Sequence, residues 1–191
     1  MKKFAFVLSI AAAVTLMAAE MPADKKGVAK EGVGYIKQLG KELKGNLKKY
    51  LKQDPSGLQA AYFCTKSAQE LTRKVNAGFP SGITVRRTAL KLRNPKNKAD
   101  ATDIEVMKKM QTAIEAGTFK KKPVVVEAGG KTRVYLPLLT QKACLKCHGP
   151  VAKINPKVRK LLREKYPKDQ ATGFKAGDLR GVIVAELPVE K

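Results

Sequence analysis

The chain has 191 residues with 39 Lys and Arg against 16 Asp and Glu, a formal net charge of +23, no Trp and a single His. That length suits one domain with a sizeable core rather than several. The charge suits an acidic protein partner, an anionic membrane surface or nucleic acid, and equally a generally lysine-rich surface, but no aromatic-basic nucleic-acid motif is visible.

Met1-Lys2-Lys3 is a positive n-region, Phe4 to Met17 an apolar run, and Ala18-Ala19 a small-residue cleavage site before Glu20. This is the layout of a secretory signal peptide at residues 1–19, too short to persist as a membrane span. The expectation is an exported, periplasmic protein of about 172 residues, with +21 charge once Lys2 and Lys3 are gone. Export argues against nucleic acid as a partner.

Residues 20–34 read as a polar, Gly-containing lead-in. From Tyr35 to Leu51, apolar residues at Ile36, Leu39, Leu43, Leu47, Tyr50 and Leu51 keep helical spacing, and the other face is almost all lysine. Such a basic amphipathic helix could lie on an anionic membrane, although Gly40 and Gly45 favour packing on its own domain. Asp54-Pro55 ends it, and residues 20–55 form a lead-in to the main domain at 56–191. Ser56-x-x-Gln59 reads as a capping box for a second helix carrying Leu58, Ala61, Cys64, Ala68, Leu71 and Val75. Cys64 falls in its buried stripe, either as a small core residue or as a thiolate ligand.

Ile83 to Leu90 is a β-prone run and Lys91 to Asp100 a turn-rich loop. Thr102-x-x-Glu105 caps a third helix through Val106, Met107, Met110 and Ile114, closed by Gly117. Pro123 to Ala128 and Lys131 to Leu139, joined by Gly129-Gly130, give a hairpin signal. A short helix is expected from Pro156 to Tyr166 and a final strand from Gly181 to Leu187. Helices first and antiparallel strands later make an α+β domain.

Directly after the hairpin stands Cys144-Leu145-Lys146-Cys147-His148-Gly149. Cys-x-x-Cys-His is the attachment signature of c-type haem: the two thiols add to the vinyl groups along one porphyrin edge, and the histidine meets the iron. A thioredoxin-like pair would open a helix in a βαβ unit, which is lacking here. A zinc site from Cys64, Cys144, Cys147 and His148 has the right atoms but fits no common finger spacing. Covalent haem attachment follows export in bacteria, so motif and signal peptide imply one compartment. With both motif cysteines used, Cys64 is a lone thiol.

The chain resembles a family of exported PAS-like haem domains, found alone or as the sensing part of membrane kinases and chemoreceptors. The resemblance is carried by Cys64 in its helix, Arg87-Thr88-Ala89-Leu90-Lys91-Leu92-Arg93-Asn94-Pro95-x-Asn97, Tyr135-Leu136-Pro137 and the haem motif. It extends through Tyr166-Pro167-x-Asp169-x-Ala171-x-Gly173 and Gly177-Asp178-x-x-Gly181. It implies a PAS-like antiparallel sheet preceded by long helices, with one haem c whose iron takes His148 on one side and Cys64 on the other. Read from the residues alone, Cys64, Met107, Met110, a lysine, water or an open position remain for the far side, since no second histidine exists and every methionine precedes the motif.

Thiolate ligation would favour ferric iron and a low potential. Arg86, Arg87, Lys91 and Arg93 are candidates to pair with haem propionates. The expected function is redox work without substrate turnover, as an electron carrier or redox sensor facing an acidic redox partner. The competing reading is a diatomic-gas sensor that signals to a separate protein. A peroxidase would need a distal acid-base group that the chain lacks a histidine to supply.

Overall fold

A computed structural model describes residues 23–189, so the expected signal peptide lies outside the described residues. The chain folds as α1 (Ala23–Gln53), α2 (Leu58–Tyr62), a π-helical turn (Phe63–Ser67) and α3 (Ala68–Asn76), then β1 (Thr84–Thr88) and α4 (Ala101–Glu115). There follow β2 (Val124–Ala128), β3 (Lys131–Leu139), α5 (Leu145–His148), α6 (Pro156–Lys165) and β4 (Leu179–Pro188). The strands form one antiparallel sheet in the order β1-β4-β3-β2, which gives the expected PAS-like α+β architecture. Gly129 and Gly130, at φ 60° and 69°, make the two-residue turn between β2 and β3. No helix among the described residues is long and apolar enough to cross a membrane.

The stretch expected as an unstructured lead-in is helical from Ala23. Its glycines lower helix propensity, but tertiary packing overrides that cost. A Cβ on Gly32 would come within 2.5 Å of Val134 Cγ2, so the absence of a side chain there lets the α1 backbone press onto β3. Ile36, Leu39 and Leu43 of α1 then join Val85, Val134, Ile183 and Ala185 in a core on one face of the sheet. Burying a side chain of Leu39's size contributes about 2 kcal/mol.

The other face carries Tyr135, Val182 and Val184, packed by Val106, Met107 and Met110 of α4. This helix starts two residues earlier than Thr102-x-x-Glu105 suggests, because Asp100 is its N-cap and forms a reciprocal capping box with Asp103. Asp103 is fully buried and also accepts from Tyr135 Oη at 3.0 Å and from Arg86 Nη1 and Nη2 at 2.8 and 3.0 Å. Arg86 further donates to Glu186 at 3.0 Å through both Nε and Nη2. Burial opposes the charge on Arg86, yet its bonds to Asp103 and Glu186 outweigh that and raise its pKa.

The second helix is interrupted where one continuous helix was expected, and its start is capped differently. Asp54 accepts from the amides of Ser56 and Gln59 at 2.9 and 3.0 Å, and Gly57 occupies the N-cap with φ 86°. A third apolar cluster, Ala61 with Ile154, Val158, Leu161 and Leu162, ties α2 to α6.

Candidate functional site

Cys144, Cys147 and His148 come together because α5 is a single turn running Leu145–His148, with Cys144 as its N-cap. The turn closes through the Gly149 amide, 3.0 Å from the Leu145 carbonyl, and a Cβ at Gly149 would stand 2.7 Å from that same oxygen. Glycine therefore follows His148 for steric reasons. Gly57 lies on the other side for a different reason: its positive φ suits glycine, while a Cβ there would make ordinary contacts, 3.4 Å from Lys146 Cβ and 3.8 Å from Cys147 Sγ. The Gln141 amide donates to Cys144 Sγ at 3.3 Å.

His148 is held by its ring. Nδ1 lies 2.7 Å from the Ala171 carbonyl oxygen, which can only accept, so Nδ1 carries the proton and Nε2 is left with its lone pair. Burial, with Arg93 and Arg180 adding to it, drives the His148 pKa well below its usual value, so the ring is neutral. A neutral imidazole with Nδ1 bonded to a carbonyl is the form that ligates a metal. Arg93 steadies the same loop. Its Nη2 donates to the Cys147 and Ala171 carbonyls at 2.7 and 3.1 Å, and its Nε donates to Asp169 at 2.9 Å.

Cys64 sits on the π-helical turn between α2 and α3. The extra residue in such a turn shifts the side chains after it around the helix axis, a distortion frequent at functional sites. Burial raises the thiol pKa of Cys64, while the charges of Arg87, Arg93 and Arg180 pull it down. Burial and the nearby Cys64 push the Cys147 thiol up to about 11. The three cysteines and His148 keep intermediate exposure. These groups are largely desolvated yet keep some surface, so they lie at the margin of the core.

Of the four basic candidates, the strand alternation separates two. Adjacent residues of β1 face opposite ways, and Arg86 is on the α4 face, tied to Asp103 and Glu186; it is not part of this site. Arg87 faces the Cys64 side, where burial lowers its pKa and Cys64 raises it. Lys91 donates to the Thr172 carbonyl at 2.6 Å and stands 4.7 Å from the Phe174 ring centre. Met107 and Met110 belong to the α4 core on the opposite face of the sheet, away from His148.

Arg180 was not anticipated. The pairing of β3 with β4 steps from Leu138↔Gly181 to Leu139↔Leu179, so Arg180 is passed over in a bulge. Bulges re-aim side chains, and this one brings the Arg180 guanidinium over Phe174 and its Nε to 3.3 Å from His148 Nδ1, a charge contact and not a hydrogen bond because the shorter Ala171 contact holds the proton on Nδ1. Burial and Arg93 lower the Arg180 pKa to about 10. A charged residue at the mouth of the apolar Gly181 to Leu187 run was the available signal. Among the described residues, Asp169 is the one acid that pairs with any of Arg87, Arg93 and Arg180, and it pairs with Arg93. The surroundings of His148 and Cys64 therefore carry an excess of part-buried positive charge, which favours an anionic group beside them.

No three His, Cys, Asp or Glu side chains converge as a metal-binding group among the described residues, which counts against the zinc arrangement. The Tll0287-like family model matches residues 11–188. The chain belongs to the Tll0287-like family. Among solved structures it is similar to the cyanobacterial heme-protein Tll0287, at 23% identity over 90% of this chain and 99% of that one, with a TM-score of 0.63. That likeness establishes a common fold. No curated protein matches the chain. The Tll0287-like match spans every residue of this cluster, from Gly57 to Arg180.

Proposed function

We propose that this Tll0287-like protein is an exported c-type haem protein that exchanges electrons at a His148- and Cys64-ligated iron, as an electron carrier or redox sensor. The observation that carries the reading is the His148 ring. Its Nδ1 proton is committed to Ala171, which leaves the Nε2 lone pair for a metal on the same helical turn that carries both motif cysteines. The solved relative's description as a heme-protein supports the same cofactor.

The residues fit the group. Cys144 and Cys147 would hold it through thioethers, His148 Nε2 and the Cys64 sulfur would ligate its iron, and Arg87 and Arg180 would meet the propionates. Arg93, bonded to Asp169 and two carbonyls, instead fixes the loop behind His148. When bound, haem supplies one-electron exchange between ferric and ferrous iron. The chain's part is to desolvate that centre, hold the imidazole neutral and offset the carboxylate charge. An anionic sulfur ligand favours the ferric state, so the potential is low. The role is redox rather than substrate turnover, in the periplasm, with an acidic protein as redox partner.

The test is the visible spectrum of protein made in a host that matures c-type haem, recorded oxidised, reduced, and reduced under carbon monoxide. Covalent haem whose reduced form ignores carbon monoxide supports electron transfer. Rapid carbon monoxide binding moves the reading to gas sensing, and protein without covalent haem overturns it.

A further inference from the structure

The outward face of α1 takes no part in the haem site. At about 100° per residue, Lys30, Lys37, Lys41, Lys44, Lys48 and Lys52 fall within an arc of roughly 80° and form a straight row about 33 Å long. All six are exposed, and none forms an ion pair among the described residues. The acids Glu31 and Glu42 stand about 100° or more from the middle of the row. Its orientation is fixed by packing on the other side, where Gly32 presses on Val134 and Leu39 is fully buried. Gly34 and Gly45 border the row, and neither has another group within 4 Å of its Cβ position.

We infer that this row seats the protein, in the plane of the helix, on an anionic lipid bilayer. Charge complementarity sets the sign of the occupant, and the geometry sets its kind. A bilayer offers negative charge over any length, and its mobile headgroups can move under each amine. A protein partner would need a matching line of carboxylates about 33 Å long. The exposed large apolar residues among the described ones, Tyr62, Ile104, Val124, Val151 and Val189, all lie off α1. The contact is therefore electrostatic, without insertion, and belongs to the salt-sensitive class.

The experiment is sedimentation of the purified protein with vesicles of phosphatidylcholine alone or with about 30% phosphatidylglycerol, at about 0.1 M and about 1 M NaCl. Two variants of equal net charge are compared: Lys37→Glu/Lys41→Glu/Lys44→Glu in the row, and Lys120→Glu/Lys121→Glu/Lys122→Glu away from it. The wild type and the second variant should bind anionic vesicles at low salt and release at high salt. The row variant should need about tenfold more lipid or worse. Equal weakening of both variants assigns the binding to net charge and overturns the inference. So does binding to neutral vesicles, or row-dependent binding to an acidic protein with none to lipid. The variant Lys37→Gln/Lys41→Gln/Lys44→Gln keeps the helix uncharged at those positions and answers the same question should the glutamate variant fail to fold.

Discussion

Arg93 and Asp169 form a part-buried ion pair at 2.9 Å, their side chains 9% and 12% exposed, and the same guanidinium bridges the carbonyls of Cys147 and Ala171. One side chain thus joins the cysteine turn to the segment that orients His148. Removing it takes the charge partner from a part-buried carboxylate and the donor from the Cys147 carbonyl, while the Ala171 carbonyl keeps His148 Nδ1 and Asp169 keeps the Ala171 amide. Arg93→Ala should lose about 3 kcal/mol in denaturant unfolding. Arg93→Lys should recover less than half, because a single ammonium cannot serve three acceptors in the fork geometry. Full recovery by lysine would reduce the role to charge alone.

Gly32 and Gly34 make opposite predictions two residues apart. Gly32→Ala places a methyl 2.5 Å from Val134 Cγ2 in a fully buried part of the core, and should cost about 1–3 kcal/mol. Gly34→Ala meets nothing within 4 Å and should stabilise the helix by up to about 1 kcal/mol. Thermal unfolding of the two variants checks the packing of α1 directly.

Tyr135 supplies a pH dependence. Burial first, then the charge of Asp103, raises its phenol to about 12 against a lowering pull from Arg133, compared with an ordinary value of 10.0. In the fold the tyrosine keeps its proton where the unfolded chain has lost it, so stability falls as pH rises from about 10 to 12. The loss over that window is about 2 kcal/mol. The comparison is with Tyr135→Phe, whose decline should be shallower by about one proton. Identical slopes would remove Tyr135 from the account.

With Cys64 as the far ligand, Cys64→Ala should shift the oxidised absorption maximum and let the reduced iron take up carbon monoxide. Met107→Leu should leave the spectrum unchanged, because Met107 is core on the opposite face of the sheet. The reverse outcome would mean that the two sides of the sheet exchange roles in the haem-loaded protein.

The parts of the site that were legible are those written in neighbouring residues. Cys144, Cys147 and His148 lie in one helical turn, and the Gly129-Gly130 hairpin is equally local. Arg86 and Arg87 could have been told apart, since neighbours in a strand face opposite ways; grouping them ignored that alternation. Arg180 could not be read with the same ease, because the bulge that aims it depends on β3, some forty residues earlier. The early start of α1 was hidden for a related reason: Gly32 weakens the local signal and is explained by Val134, about a hundred residues away.

The strand at the middle of the sheet is the latest of the four in the chain. β4 lies between β1 and β3, and its pairing with β1 joins residues about a hundred positions apart, such as Arg87 with Ile183. The loop just before it supplies the amides of Gly173 and Phe174 that bond the Gly149 and His148 carbonyls at 2.9 and 3.0 Å. Assembly of the sheet is therefore a high-contact-order event that waits on residues 173–188, which makes folding slow for a chain of this size. Until that event the cysteine turn lacks the Gly173 and Phe174 amides that hold it from the sheet side, and its two thiols stay more open to chemistry from outside the fold.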